Sequence, residues 1–278
     1  MRDKLLVNGA LHAYQEMGRI DAPPIIVIHG GRGASYFLDD FSSFEPLSDK
    51  FRVTSFERRG LGQSELKEPL TVDQLIEDVE SFRKALFGAA PAAVIGVSFG
   101  AQLALLHALR YQDSVSGLVL IGGAACSDFE EMALDEFEKR AHLAPMATRD
   151  MIRRHLRGDL ESDIEFRIIR FAISRLYDEN YPVDVALKAT LTDPCDVEVH
   201  RRYYMGSSFD VRNQLPALRV PTLIMCGEND WIAPLACSVE MHELIPGSKL
   251  HVIKDHGHTI YESAPEETRA TIRAFLNS

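Results

Sequence analysis

The chain has 278 residues, enough for one large domain with an insertion or for two small ones. Its composition, 46% hydrophobic and 26% charged, is that of a globular protein and excludes a disordered or fibrous chain. With 41 acidic against 30 basic side chains the formal charge is −11, which repels phosphate backbones and anionic lipid and argues against nucleic acid as a partner.

The first residues, "MRDKLLVNGALHAYQEMG", contain no apolar core of signal-peptide length, so a cytoplasmic location is expected. Within them "LLVNGALHAY" alternates around Asn8-Gly9, which predicts two antiparallel strands joined by a tight turn. Apolar runs bounded by glycine or charge then recur: "PIIVIHG", "FRVTSFE", "AAVIGVS", "SGLVLIGG", "PTLIMCG" and "KLHVIKD". Runs apolar on both faces predict strands buried between helical layers, hence an α/β fold with a mainly parallel sheet.

Helical patterns separate these runs. "TVDQLIEDVESFRKALFG" has Thr71 and Gln74 at capping-box spacing, an apolar face from Val72 to Leu86, and a stop at Gly88. The last helix is expected to use Ser263 and Glu266 in the same way, with Ile272, Phe275 and Leu276 facing inward. Between about Ala125 and Leu215 the strand signal disappears. Helical stripes replace it (Phe129, Met132, Ala133, Phe137; Ile164, Ile168, Phe171, Ala172), and they should face the core or a pocket. The expected division is a core over residues 1–124 and 215–278, with a helical cap at 125–214 lying over the strand ends.

The four cysteines, Cys126, Cys195, Cys226 and Cys237, are scattered without close pairs, which fits reduced structural thiols and provides no zinc ribbon. The longest nearly uncharged stretch, "AAVIGVSFGAQLALLHALR", is too broken for a bilayer helix, which needs about twenty uninterrupted apolar residues. It divides instead into a strand, a turn and a helix. The turn is Gly96-Val97-Ser98-Phe99-Gly100, the G-x-S-x-G pattern of a nucleophile elbow. There a serine occupies a strained strand-to-helix junction, glycines permit close backbone approach, and the start of the helix points its free N–H groups at a forming oxyanion.

Four further segments accompany the elbow: "VIHGGRG", "FERRGLGQS", "GENDWIAP" and "GHTIYESAPEE". In this order they resemble the motifs of the α/β-hydrolase superfamily, over nearly all of the chain except the inserted helices. The resemblance implies a triad acid at Asp230, a base at His258, and an oxyanion hole from the backbone N–H groups of Gly31 and Phe99. The chemistry needs the same groups: a serine hydroxyl requires a neutral imidazole to take its proton, and that imidazole requires a carboxylate to fix its tautomer. Ser98, Asp230 and His258 follow the chain order of this fold.

Each assignment has a rival. His256 shares the terminal loop with His258, and Glu228 precedes Asp230 by two residues. His107 is expected to pack in its helix, His251 belongs to the last strand, and His29 reads as a loop fastener. Arg32, Arg58 and Arg59 could bind an anionic substrate, but the plainer expectation is a salt-bridged loop. Within the superfamily the doubled glycine of "HGGRG" and the stretch "FDVRNQLPALRVPTLIMCGENDWIAP" look most like proline iminopeptidases, although Arg32 replaces a proline and Glu57 an aspartate of the related motifs. That likeness would make cap acids such as Glu161, Glu165, Asp178 or Glu179 amine binders.

The leading expectation is a cofactor-independent serine hydrolase, with no metal, that cleaves a small ester, lactone or related acyl compound. Its partner would be a small-molecule substrate, with neither nucleic acid nor membrane involved. An iminopeptidase is the alternative, and a receptor that keeps the fold but turns over nothing is the reading from another class.

Overall fold

The computed structural model describes residues 2–34 and 36–278. Its eight strands form one sheet in the order β1-β2-β4-β3-β5-β6-β7-β8. Strands β1 (Arg2–Val7) and β2 (Ala10–Met17) are the expected hairpin, and Asn8 and Gly9 both turn at positive φ, 47° and 75°, as a two-residue turn requires. β2 pairs antiparallel with β4 (Arg52–Phe56). All other neighbours are parallel: β3 (Pro24–Ile28), β5 (Ala92–Val97), β6 (Val115–Ile121), β7 (Thr222–Gly227) and β8 (Lys249–Ile253). The six apolar runs of the sequence are therefore all strands.

Side chains alternate along the central strands and fill two cores. Ile26, Val94 and Leu118 face one, which α2 (Val72–Phe87), α3 (Phe99–Arg110) and α10 (Leu235–Leu244) cover. Ile25, Ile95 and Val119 face the other, under α1 (Phe37–Phe44) and α12 (Pro265–Leu276), where Ile272 and Phe275 point inward as expected. Helix α2 starts on its predicted cap, the Thr71 hydroxyl accepting the Gln74 N–H at 3.2 Å. The Gln74 side chain does not return the bond but donates to Asp78.

The cap expected for α12 does not form. Its N-cap is Ala264, and Pro265, whose fixed φ suits the first helical position, begins the helix. Ser263 belongs instead to the short α11 (Ile260–Ser263), donates to Thr259 O at 3.1 Å, and sits 2.8 Å from His256 Nδ1.

Between β6 and β7 lie six α-helices, α4 (Phe129–Lys139), α5 (Arg149–Arg157), α6 (Asp163–Ala172), α7 (Ser174–Tyr177), α8 (Val183–Thr192) and α9 (Val197–Arg202), with 3-10 turns at Ala141–Leu143 and Arg212–Ala217. They bury their own cluster, including Phe137, Ile152, Leu156, Phe166 and Ile169, against Trp231 from the loop after β7. The expected stripe of α6 holds only at its end, where Ala172 is buried and Phe171 half-buried. Ile164 and Ile168 are 69% and 55% exposed, because Phe166, Ile169 and Ile173 form a second stripe and that one meets α5 and Trp231. Met132 on α4 is also exposed. Among the described residues no helix is long and apolar enough to cross a membrane, and "AAVIGVSFGAQLALLHALR" is divided between β5 and α3.

Candidate active site

Ser98 is the junction residue between β5 and α3, at φ 54° and ψ −120°, a conformation that side-chain-bearing residues rarely adopt. Neighbouring structure holds it there: its N–H donates to Ile121 O of β6 at 2.8 Å. The motif glycines are sterically required. A Cβ on Gly96 would come within 2.6 Å of Ala101 Cα, and one on Gly100 would meet the backbone of Ile28 and, at 2.6 Å, His29 O. The first N–H groups of α3, Phe99 among them, have no carbonyl one turn earlier within the helix to bond.

The segment after β3 lies against the elbow, since a Cβ on Gly30 would stand 3.5 Å from Ser98 Cβ. Gly31 has φ 68°, and a side chain there would collide with the Tyr36 ring. Three buried residues fix this loop. Arg58 donates through its guanidinium to the carbonyl oxygens of His29, Gly30 (3.1 Å) and Gly31. Asp40 Oδ2 accepts the Gly30 N–H at 2.8 Å. His29 donates from Nδ1 to Gly30 O at 2.9 Å, and burial keeps it neutral by pulling its pKa well down. His29 is thus the expected loop fastener. Burial also raises the Asp40 carboxyl to about 7 and lowers Arg58 to about 10.

The three arginines divide. Arg59 makes the expected salt bridge, bidentate and fully buried, to Asp78 at 2.6 and 2.7 Å. Arg58 bonds carbonyls rather than a carboxylate, through Nη1 and Nη2 while its buried Nε has no partner among the described residues, and Arg32 forms no ion pair with any described residue. Glu57 is buried and accepts the Gln63 N–H at 2.6 Å, and a Cβ on Gly62 would collide with its carboxylate.

Asp230, 2% exposed, and His258, 5% exposed, come from the loops after β7 and β8 and meet with Oδ2 2.7 Å from Nδ1. The other carboxylate oxygen, Oδ1, accepts the N–H groups of Ile232 (2.9 Å) and Ala233 (3.0 Å), which orients the acid. Gly122, at the end of β6, makes room for the pair: a Cβ there would stand 2.9 Å from His258 Cε1 and 3.2 Å from Asp230 Oδ2. Tyr177 covers His258 edge-on, with ring centroids 5.8 Å apart, and itself packs on Trp231 at 5.5 Å.

The rivals lie elsewhere. His256 bonds Ser263, and Glu228 is exposed and accepts the Asp255 N–H at 3.3 Å. His107 is buried against Glu80 at 3.2 Å, and His251 lies on β8 beside Glu267. Gly31, Ser98, Phe99 and His258 line one cavity of about 700 Å³, as do Phe129, Phe166 and Tyr177 from the segment between β6 and β7. Asp230 sits behind His258. Of the four acids expected as amine binders only Asp178 lines this cavity, joined there by Asp39, Glu262 and Asp193, the last paired with Arg170 at 2.9 Å. Among the described residues no cluster of metal-binding side chains occurs.

Sequence reading missed Gly122, Arg58 as a carbonyl clamp, and Tyr177. The doubled glycine ending "SGLVLIGG" was the available signal for the first. The other two depend on tertiary contacts across 27 and 81 residues, for which no local pattern exists.

A parallel sheet with a serine elbow after β5, and an acid and a histidine after its last strands, defines a class that comparison establishes: a family model described as the alpha/beta hydrolase fold matches residues 23–265, and the chain belongs to that family. It is 33% identical to proline iminopeptidase PfmaB of Pestalotiopsis fici, over 97% of each chain. Among solved structures it is similar to a meta-cleavage product hydrolase from Pseudomonas fluorescens, with a TM-score of 0.78 and 21% identity over 99% of this chain and 97% of the other. It is also similar to a thermophilic esterase from Thermogutta terrifontis, with a TM-score of 0.73 and 25% identity over 100% and 98%. The protein is therefore an α/β-hydrolase enzyme.

Proposed function

We propose that the protein is a cofactor-independent serine hydrolase that cleaves small acyl compounds, esters or lactones, through an acyl-enzyme on Ser98. The observation that carries this reading is the pairing of His258 Nδ1 with Asp230 Oδ2 at 2.7 Å, in a cavity whose wall holds Ser98 at its strained elbow. With Nδ1–H donated to the carboxylate, Nε2 carries the lone pair that takes the Ser98 proton as the hydroxyl attacks an acyl carbon. Charge developing on the carbonyl oxygen meets the N–H groups of Gly31 and Phe99. The imidazolium then returns the proton to the leaving group, and water repeats the sequence to free the acid. The inserted helices of residues 125–214 serve as the cap that shapes the cavity and sheds water from it.

A second reading, removal of an amino-terminal proline, is favoured by two observations. Relatives carry that name, and the carboxylates of Asp39, Asp178 and Glu262 line the cavity, where an ammonium group could be paired.

Fluorophosphonate labelling followed by peptide mass spectrometry tests the shared chemistry. The label is expected on Ser98 and should be absent from Ser98→Ala, whereas a label on another residue would overturn the assignment. Turnover of short-chain esters and lactones beside prolyl amides then separates the two readings.

A further inference from the structure

Arg32 is a cation without a counter-ion at the wall of the cavity. It directly follows Gly31 and lines the same cavity as Ser98 and Phe99. All of its hydrogen-bond contacts use Nη2, which donates to His155 O (3.0 Å) and Leu156 O at the end of α5 and approaches His200 Nε2 at 3.4 Å. Nη1 and Nε have no partner among the described residues. The Tyr204 ring covers one face at 5.3 Å.

Glu130 is the carboxylate whose field reaches Arg32, but it is engaged by Arg157 at 3.1 Å and by the Tyr204 hydroxyl at 3.4 Å. By contrast Arg58, Arg59 and Arg170 are matched, by carbonyls, Asp78 and Asp193 respectively. Burial lowers the pKa of Arg32 to about 10, which leaves it charged at neutral pH and poorly solvated. Such a group gains more from an incoming anion than a surface cation does.

Gln102 lies beside it, one turn along α3 from Ser98 and 8% exposed. Its side-chain amide has no partner among the described residues, and with Arg32, Phe99 and Phe129 it lines both the main cavity and a small adjoining hollow. His155 and His200, which also line the cavity, are kept neutral by burial and add no charge. The acids Asp39 and Asp178 raise the Glu262 carboxyl.

We propose that Arg32, with Gln102 beside it, recognises a carboxylate carried by the acyl substrate, so that monoesters of short dicarboxylic acids, or lactones bearing a free carboxylate, are the preferred substrate class. The inference rests on Ser98 being the nucleophile. One guanidinium and one amide match the two oxygens and single charge of a carboxylate, whereas a phosphate would bring a second charge and a third oxygen with no donor assigned to them.

The test compares monoethyl succinate with ethyl succinamate, its uncharged isostere, by ethanol release. The wild-type kcat/KM is expected to favour the carboxylate by about tenfold or more, chiefly through KM, and Arg32→Gln should erase that ratio while Arg32→Lys keeps part of it. Because Arg32 also bonds α5, the ratio is read rather than the absolute rate, so loss of packing cancels. Equal wild-type use of the two esters overturns the proposal without recourse to any variant, as does a ratio unchanged in Arg32→Gln. If neither ester is turned over while Ser98 still takes the fluorophosphonate label, calorimetric titration of both compounds decides. Binding of the carboxylate alone keeps the anion site, and equal or absent binding removes it. Failure of the label on Ser98 is the separate sign that the hydrolytic reading itself is wrong.

Discussion

Asp230 bonds His258 through Oδ2 at 2.7 Å while its Oδ1 is held by two backbone N–H groups, so the acid cannot turn without losing all three contacts. A carboxylate fixed in this way sets the imidazole tautomer, which is the condition for Nε2 to act as a base. If the proposed triad of Ser98, His258 and Asp230 acts as a unit, His258→Ala and Asp230→Asn should each lower kcat by about 10³-fold or more. His256, bonded to Ser263, should tolerate alanine with a loss of at most about tenfold. Steady-state kinetics on any accepted ester checks the ranking, and a reversed order of the two histidines would move the base to the other position.

Gly122 offers a test that touches no titrating group. At φ 59°, and with a Cβ bound to press on His258 and Asp230, alanine there would be strained and would push the pair apart. Gly122→Ala should cut kcat by about 100-fold and slow Ser98 labelling in parallel, since small displacements of reacting groups are costly. Retention of full labelling speed would mean that the pair can shift without consequence.

Arg58 holds three successive carbonyls of the loop that presents the Gly31 N–H. Lysine in its place keeps the charge but cannot span that arc, leaving buried acceptors unpaired at about 1–3 kcal/mol each. Arg58→Lys should therefore lower both the urea midpoint and kcat, with KM changed less. Unaltered kcat in a destabilised variant would separate the clamp from the chemistry.

Much of this architecture was legible in advance because it is locally encoded. The Asn8-Gly9 turn, the Thr71 cap and the glycines around Ser98 each follow from the conformation of a few consecutive residues. Errors arose where two local signals competed and tertiary contact chose between them. At the start of α12 a capping spacing lost to Pro265, and in α6 two apolar stripes were available but it was Phe166 and Ile169 that joined the buried cluster containing Trp231. The roles of Arg32 and Arg58 were hidden for another reason. Both are adjacent in type to Arg59, and only the three-dimensional supply of carboxylates and carbonyls distinguishes a salt bridge from a clamp or an unpaired charge.

Asp40 should give the protein a pH-dependent stability. Its carboxyl is raised by burial to about 7 in the folded chain, against an unfolded value near about 3.9. Between these values the native state binds the extra proton, so this contribution to stability is fully present below about pH 4 and is lost as pH rises through about 7. Asp40→Asn keeps an acceptor for the Gly30 N–H and removes the titration. Urea melts of the variant should therefore gain on wild type progressively from pH 4 to 7 and hold a constant difference above it. A difference independent of pH over that window would show that Asp40 is ionised throughout.

The choice between ester and prolyl substrates falls on the carboxylates that the cavity exposes. Glu161, Glu165 and Glu179 do not line it, and Asp193, which does, is paired with Arg170 at 2.9 Å, which leaves Asp178 from the inserted segment, with Asp39 and Glu262 from the core. Glu262 is raised above its ordinary value, first by burial and next by Asp39, with Asp178 contributing, so an ammonium group bound among them would relieve both the desolvation and the mutual repulsion. An iminopeptidase would then show a kcat/KM for prolyl p-nitroanilide about 100-fold above that for its N-acetylated counterpart, and Asp178→Asn or Glu262→Gln would remove most of that preference. An acyl esterase would hydrolyse p-nitrophenyl acetate with little change in either variant and would ignore the free amine. The leading reading predicts the second pattern, because Arg32 presents to this cavity a cation with no ion pair among the described residues, which favours an anionic acyl substrate over an ammonium group. Strong, carboxylate-dependent selection of the free amine would reverse the order of the two proposals and make the acids, rather than Arg32, the first point of substrate recognition.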